Sequence, residues 1–276
     1  MKLFQTGPAR YRPAPHDAAA YARINQRNMA FVVGLVALSL PTLLWLGVQL
    51  DGSCLRDSIS HFYYAPFWSG PFVGALLFIG AYLCVYEGED RGGAEARLAT
   101  YAGLAAFAVA LLPTSGHGCD AESFRAHLTV DLERNPLTGS LSLQPRDLAE
   151  AMFALFPYAD VVHYAAATLL FGFLAWFSLV VFTATEPCQR DARGRWTRAK
   201  RRRNLLYYGC GAVILASMTA IAGIVTLGAL TDWDLGWWDA GNWTFWAEAA
   251  SLWAFGLSWM VKGRFLGFAL CDHPEP

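Results

Sequence analysis

The chain has 276 residues, of which 55% are hydrophobic and only 16% charged, with a mean hydropathy of +0.30 and a formal net charge of −1. A soluble domain carries about 25% charged residues, so the deficit argues against an ordinary water-facing surface and for one that faces lipid. No stretch interleaves basic and aromatic side chains in the manner of a nucleic-acid groove, so no nucleic acid is expected as a partner.

Residues 1–28 are polar and carry Pro8, Pro13 and Pro15, with no short apolar core after Met1 and Lys2, so no cleavable signal peptide is expected. Six apolar runs follow, at 30–50, 71–87, 98–114, 161–184, 205–230 and 244–261. Each approaches the roughly 20 residues that a spanning helix needs. Pro41 is expected to kink the first helix, because its ring clashes with the preceding turn. In the third run Ala102, Ala106 and Ala110 recur every four residues, as do Ala212, Ala216 and Ala220 in the fifth. Small side chains at that spacing let helix backbones approach closely, so both rows are expected to be packing seams.

One connection is long, at 115–160. Residues 126–144 alternate apolar and polar around Asn135-Pro136-Leu137-Thr138-Gly139, which predicts a small hairpin. Pro145 then stands where a helix would begin, and Leu148, Met152, Leu155 and Phe156 recur at helical spacing. A short amphipathic helix is expected over 146–157, lying on the outer leaflet or capping the bundle. The fold class expected is therefore all-α: a polytopic membrane protein, one membrane domain over 1–276, folded as a six-transmembrane-helix bundle with a small extracytoplasmic insertion at 115–160.

Lysine and arginine set the orientation. Lys2, Arg10, Arg12, Arg23 and Arg27 precede the first run; Arg91 and Arg97 lie in the second connection. Arg190, Arg193, Arg195, Arg198, Lys200, Arg201, Arg202 and Arg203 fill the fourth, and Lys262 and Arg264 follow the last run. Six spans place all of these on one side and leave only Arg56, Arg125, Arg134 and Arg146, four of the 21 basic residues, on the other. The rich side is read as cytoplasmic, which puts both termini inside (N-in/C-in) in a bacterial inner membrane. The run at 198–203 is read as a topological signal that also attracts anionic headgroups, at about 1 kcal/mol per charge near the surface. Trp68, Trp233, Trp237, Trp238, Trp243 and Trp246 lie at or beside outer helix ends, where indole rings prefer the headgroup level.

Of the six cysteines, this topology places only Cys54 and Cys119 outside. The periplasm oxidises paired thiols, so a Cys54–Cys119 disulfide is expected to tie the first outer loop to the start of the long one. Neither sits in a CxxC spacing, which disfavours a metal role.

The chemistry-bearing residues gather at the outer end. Glu248 stands about one turn inside the sixth helix, and Ser251, Phe255, Ser258 and Lys262 continue its face, a stripe expected to point into the bundle. A charge within a membrane span usually has a reason. His163 opens the fourth helix at similar depth, and the outer loops add His61, His117 and His127 with Asp57, Asp120 and Asp160. Three histidines and a carboxylate can hold a catalytic zinc, but no HExxH or HxxxH spacing occurs, so no metal or other cofactor is assigned. Ser60, His163 and Glu248 are a candidate serine–histidine–acid set, although no GxSxG elbow accompanies them.

Several segments together carry a resemblance. They are Ser58-Ile59-Ser60-x-Phe62-Tyr63-Tyr64, Phe72-Val73-Gly74, Tyr86-x-Gly88-x-Asp90, His163, Arg202-Arg203-Asn204-x-x-Tyr207, and Glu248 with Ala254-Phe255-Gly256-x-Ser258-Trp259-x-x-Lys262-Gly263. Over residues 55–263 the chain resembles a group of uncharacterised bacterial multi-pass membrane proteins. Trp68-Ser69-Gly70-Pro71 stands where similar sequences have an Arg-Asp pair. The resemblance implies six helices and no particular activity.

The function expected is binding of a small molecule or lipid headgroup in a polar pocket at the outer end of the bundle. Its lining is expected to be Ser58, Ser60, His61, Tyr63, Tyr64, His163 and Glu248. A membrane-embedded hydrolase acting on a lipid, with or without a metal, is one alternative. A proton-coupled transporter is another, although residues 30–114 and 161–262 show none of the internal similarity that inverted repeats would leave.

Overall fold

A computed structural model describes residues 15–65, 67–87, 93–112, 114, 130–134, 141–145, 159–184 and 193–263. Its long helices are α1 (Pro15–Asp51), α2 (Ser69–Cys84), α3 (Ala94–Leu111), α4 (Ala159–Trp176), α5 (Arg198–Leu230) and α7 (Trp243–Lys262); α6 (Gly236–Ala240) is a single short turn. Each of the six predicted apolar runs coincides for most of its length with one of these helices. Four helices are long and apolar enough to cross a membrane, at Asn28–Asp51, Ala94–Leu111, Val161–Val181 and Arg198–Leu230, and Ser69–Cys84 is a shorter apolar helix. Large apolar side chains remain exposed on them, including Leu43, Leu104, Leu169, Leu205 and Val225.

The helices differ from the runs mainly at their starts. α1 begins at Pro15 rather than near residue 30. Proline suits a first helical position, and Ala18, Ala19, Ala20 and Ala22 are strong helix formers outside any apolar run. α1 also runs on through Pro41 to Asp51. α5 begins at Arg198 because Thr197 caps it, its Oγ1 accepting the Lys200 N–H at 3.2 Å. The predicted hairpin is present as β1 (Val130–Arg134) and β2 (Leu141–Pro145), antiparallel, with Leu132 opposite Leu143. The helix predicted over 146–157 lies outside the described residues.

Each long helix packs on its neighbour in sequence, and α1 packs on α7, so the six close into a ring. Two crossings need glycine. A Cβ on Gly34 would stand 2.6 Å from the carbonyl oxygen of Gly256, and one on Gly256 would stand 2.6 Å from that of Gly34, so α1 and α7 touch backbone to backbone. α2 and α3 meet in the same way, a Cβ on Gly103 falling 2.6 Å from the Gly80 oxygen.

The alanine row of α3 behaves as a seam, since Ala102, Ala106 and Ala110 are all buried. The row on α5 does not: Ala212, Ala216 and Ala220 are exposed. The buried stripe of α5 is Tyr207, Cys210, Gly211 and Ile214, which lies on the opposite side of the helix. Repetition of small residues marks a face without saying that anything within the same chain covers it.

One end of the ring is filled with rings. Trp259, wholly buried, contacts Tyr82, Tyr86, Phe177, Phe182 and Phe255 at centroid distances of 5.3–5.8 Å. Such pairs contribute about 0.5–1.5 kcal/mol each beyond their burial. α4 ends here in a π-turn, Phe177–Val181, in which Phe182 N donates to Phe177 O at 2.9 Å. The carbonyls left over at that end are met from α5. Lys200 Nζ donates to Phe182 O at 3.3 Å and to Ala184 O, and Asn204 Nδ2 donates to Thr183 O at 3.4 Å. Lys200, from the run read as a topological signal, is thus a buried C-terminal cap of α4.

Candidate functional site

The opposite end is closed by residues 52–68, a strap between α1 and α2 that includes a 3₁₀ turn, Ser60–Tyr64. Ile59 and Phe62 anchor it, both buried in the core. The strap is polar where it meets α7. Asn242 precedes α7 in the left-handed conformation, with no side-chain cap, so the first amides of α7 need other acceptors. Asp57 O supplies one, accepting from Phe245 N at 2.6 Å.

Glu248, one turn further along α7, reaches back to the strap. Its Oε2 accepts the Ile59 N–H at 2.6 Å. Ser58 Oγ lies 2.9 Å from Oε2 and 3.1 Å from Oε1 and donates to the carboxylate. Ser58 Oγ in turn accepts the Ser60 N–H at 3.1 Å. Ser58 is 6% exposed, while Glu248 is only half-buried. Of the other stripe residues predicted to point inward, Ser251, Phe255 and Ser258 are fully buried, whereas Lys262 is partly exposed.

From Ser60 the chain of bonds passes to α4. Ser60 Oγ lies 3.0 Å from His163 Nε2, and His163 Nδ1 lies 2.6 Å from the carbonyl oxygen of Leu112, the residue that ends α3. A carbonyl can only accept, so Nδ1 carries the ring proton. In the neutral imidazole, Nε2 is then the acceptor and Ser60 the donor. Ser60 is 7% exposed and His163 2%. One connected network therefore runs from α7 through the strap to α4 and α3.

Its neighbours are polar as well. His61 Nδ1 is paired with Asp57 Oδ1, and Thr114 Oγ1 donates to Tyr164 OH at 2.7 Å. Arg56 is buried, and burial pushes its ionisation down to about 10 while the adjacent Asp57 carboxylate pulls it up. Tyr63 and Tyr64 stand edge to face with each other, centroids 5.4 Å apart, and Tyr64 is buried.

No protein-family model, curated protein or solved structure matches the chain. The geometry alone therefore carries the functional reading.

Of the predicted site residues, Ser58, Ser60, His163 and Glu248 meet in one network, His61 adjoins it through Asp57, and Tyr63 and Tyr64 are the ring pair beside it. The serine–histidine–acid set takes a different form from the one expected. Ser60 and His163 do pair, but Glu248 does not complete them, because it bonds Ser58 and Ile59 instead and the His163 Nδ1 proton goes to Leu112 O. Asp57, which with Ser58 is a candidate cap of a short helix here, instead pairs with His61 at i,i+4 spacing, and the turn has no side-chain cap. Leu112 acts through its main chain, which side-chain identity does not mark.

Among the described residues, no group of three or more His, Cys, Asp or Glu side chains sits together as a metal site. His117 and His127 lie outside the described residues, as does Cys119. The described thiols that are free are Cys84 and Cys210, and Cys54 is not among them.

Proposed function

We propose that the chain is a six-span integral protein of a bacterial inner membrane, with both termini in the cytoplasm, that binds a lipid headgroup or small molecule rich in hydrogen-bond donors at the outer end of its bundle. Four helices meet the length and hydropathy of a span outright. The proposal adds α2, and α7 with its 20 residues, about 30 Å long, which match the hydrocarbon thickness. α5, with 33 residues and about 50 Å long, exceeds that thickness, and its surplus carries the exposed Arg198, Arg201 and Arg202 into the cytoplasmic headgroups.

The observation that carries the binding reading is the Glu248 carboxylate at the outer end of α7, held by Ile59 N–H and Ser58 Oγ. A carboxylate kept at a span's outer end and held by two donors has lone-pair sites beyond those two, and so keeps acceptor capacity. That chemistry suits an ammonium or a polyhydroxyl group arriving from the outer leaflet. A Cys54–Cys119 disulfide belongs to the same proposal and would fix the strap from its outer side.

The test is thermal unfolding of the detergent-solubilised protein with increasing phosphatidylethanolamine or phosphatidylglycerol. A saturable rise in Tm with a donor-bearing headgroup, lost in Glu248→Gln, supports the reading. A rise equal in wild type and Glu248→Gln overturns it, as does no rise with either lipid.

A further inference from the structure

Ser60 and His163 are arranged as a nucleophile and its base, and we propose that this pair cleaves a carboxylic ester of an acyl lipid in the outer leaflet. The inference deepens the binding proposal, since the headgroup site at Glu248 would present the substrate.

Three observations carry it. First, the protonation pattern is the one that activation of a hydroxyl requires. Leu112 O fixes the proton on Nδ1, so Nε2 faces Ser60 Oγ with a lone pair at 3.0 Å. A base held by a third group, here a main-chain carbonyl, is the general signature of an activated nucleophile. Second, the pair is held from both sides. The Ser60 amide is tied to Ser58 Oγ at 3.1 Å, and the 3₁₀ turn that begins at Ser60 is anchored by buried Phe62. The hydroxyl is thereby set against the ring rather than left to rotate freely. Third, the location suits a lipid ester. His163 lies in the first turns of α4, beside Val161 and Val162 and near Leu111, all exposed apolar side chains on surfaces read as lipid-facing. Ester carbonyls of acyl lipids lie at that boundary between headgroup and hydrocarbon, whereas a water-soluble ester would have to leave bulk solvent to reach it.

The chemistry balances without a cofactor. As Ser60 Oγ bonds to the ester carbonyl carbon, its proton passes to His163 Nε2. The bond from that carbon to the leaving alcohol oxygen then breaks, and Nε2 gives the proton to the departing alcohol. Water, giving a proton to the same nitrogen, attacks the acyl-serine carbonyl; the acid leaves and the proton returns to Ser60 Oγ. Leu112 O acts as a positioning group throughout, holding the ring in the tautomer and orientation this sequence needs. Because it is a neutral acceptor and not a carboxylate, it stabilises the transient imidazolium less, which predicts slow turnover.

The purified full-length protein in nanodiscs is treated with a long-chain alkyl fluorophosphonate, and the adduct is read by intact mass and peptide mapping. Displacement of fluoride by Ser60 Oγ leaves one phosphonyl group per chain. The expected result is a single adduct on Ser60, absent in Ser60→Ala. In His163→Gln of unchanged Tm the rate should fall about 100-fold or more, the usual scale of general-base assistance. No adduct on wild-type Ser60, an adduct on Ser58 instead, or a rate insensitive to His163 overturns the proposal. The wild-type labelling and its site decide the matter even where His163→Gln fails to fold. Headgroup binding without a Ser60 adduct would leave the binding proposal standing and remove this one; an adduct without Glu248-dependent binding would do the reverse.

Discussion

The backbone N–H of Ile59 donates to Glu248 Oε2 at 2.6 Å, across a sequence separation of 189 residues. That bond seats the strap on α7 at the only carboxylate within the 20-residue helix. Removing the acceptor strands the Ile59 amide and the Ser58 hydroxyl together. Glu248→Ala is therefore expected to cost about 1–3 kcal/mol, the usual penalty for an unsatisfied buried polar group. Glu248→Gln keeps one accepting oxygen and should lose less, about 1 kcal/mol. Reversible unfolding in mixed micelles measures both, and an Ala variant as stable as the Gln variant would contradict the assignment.

Ser60 and His163 should be energetically coupled. Each single alanine variant breaks the 3.0 Å bond between them, so the double variant should lose less than the sum of the two. The expected interaction energy is about 0.5–3 kcal/mol for residues in direct contact. A double-mutant cycle on unfolding free energies checks this, and strict additivity would mean that the contact contributes nothing.

The backbone crossing of α1 and α7 gives a steric prediction with a built-in control. Gly256→Ala places a methyl 2.6 Å from the Gly34 oxygen, where neither backbone can yield cheaply. Overpacking of this kind costs about 1–3 kcal/mol. Gly74→Ala, where a Cβ meets nothing within 4 Å, should be neutral to within about 0.5 kcal/mol. Equal Tm values for the two variants would contradict the crossing.

The sidedness proposal predicts the redox state of the cysteines. In protein purified without reductant, maleimide should leave Cys54 and Cys119 unmodified until a reducing agent is added, whereas Cys84 should react under denaturing conditions either way. Modification of Cys54 before reduction would remove the proposed bridge.

Much of this was legible in the chain itself. Apolar runs marked all six long helices because their composition is set by the surroundings of each helix. The outer-end residues stood out because serine, histidine and glutamate are rare beside such runs. What was not legible had specific causes. The start of α1 at Pro15 depends on alanine-rich helix propensity, which hydropathy ignores. The exposure of Ala212, Ala216 and Ala220 depends on which side of α5 meets α4 and α7, which period alone does not give. The partner of His163 Nδ1 is a carbonyl of Leu112, and a main-chain acceptor leaves no trace in side-chain identity.

The proposal places the Glu248 site at the outer face of the membrane. Glu248→Cys, expressed in cells and treated with a membrane-impermeant maleimide, reports which face it meets. Labelling is expected in intact spheroplasts, where only the outer face is presented. Labelling confined to inverted vesicles, where only the cytoplasmic face is presented, would contradict it.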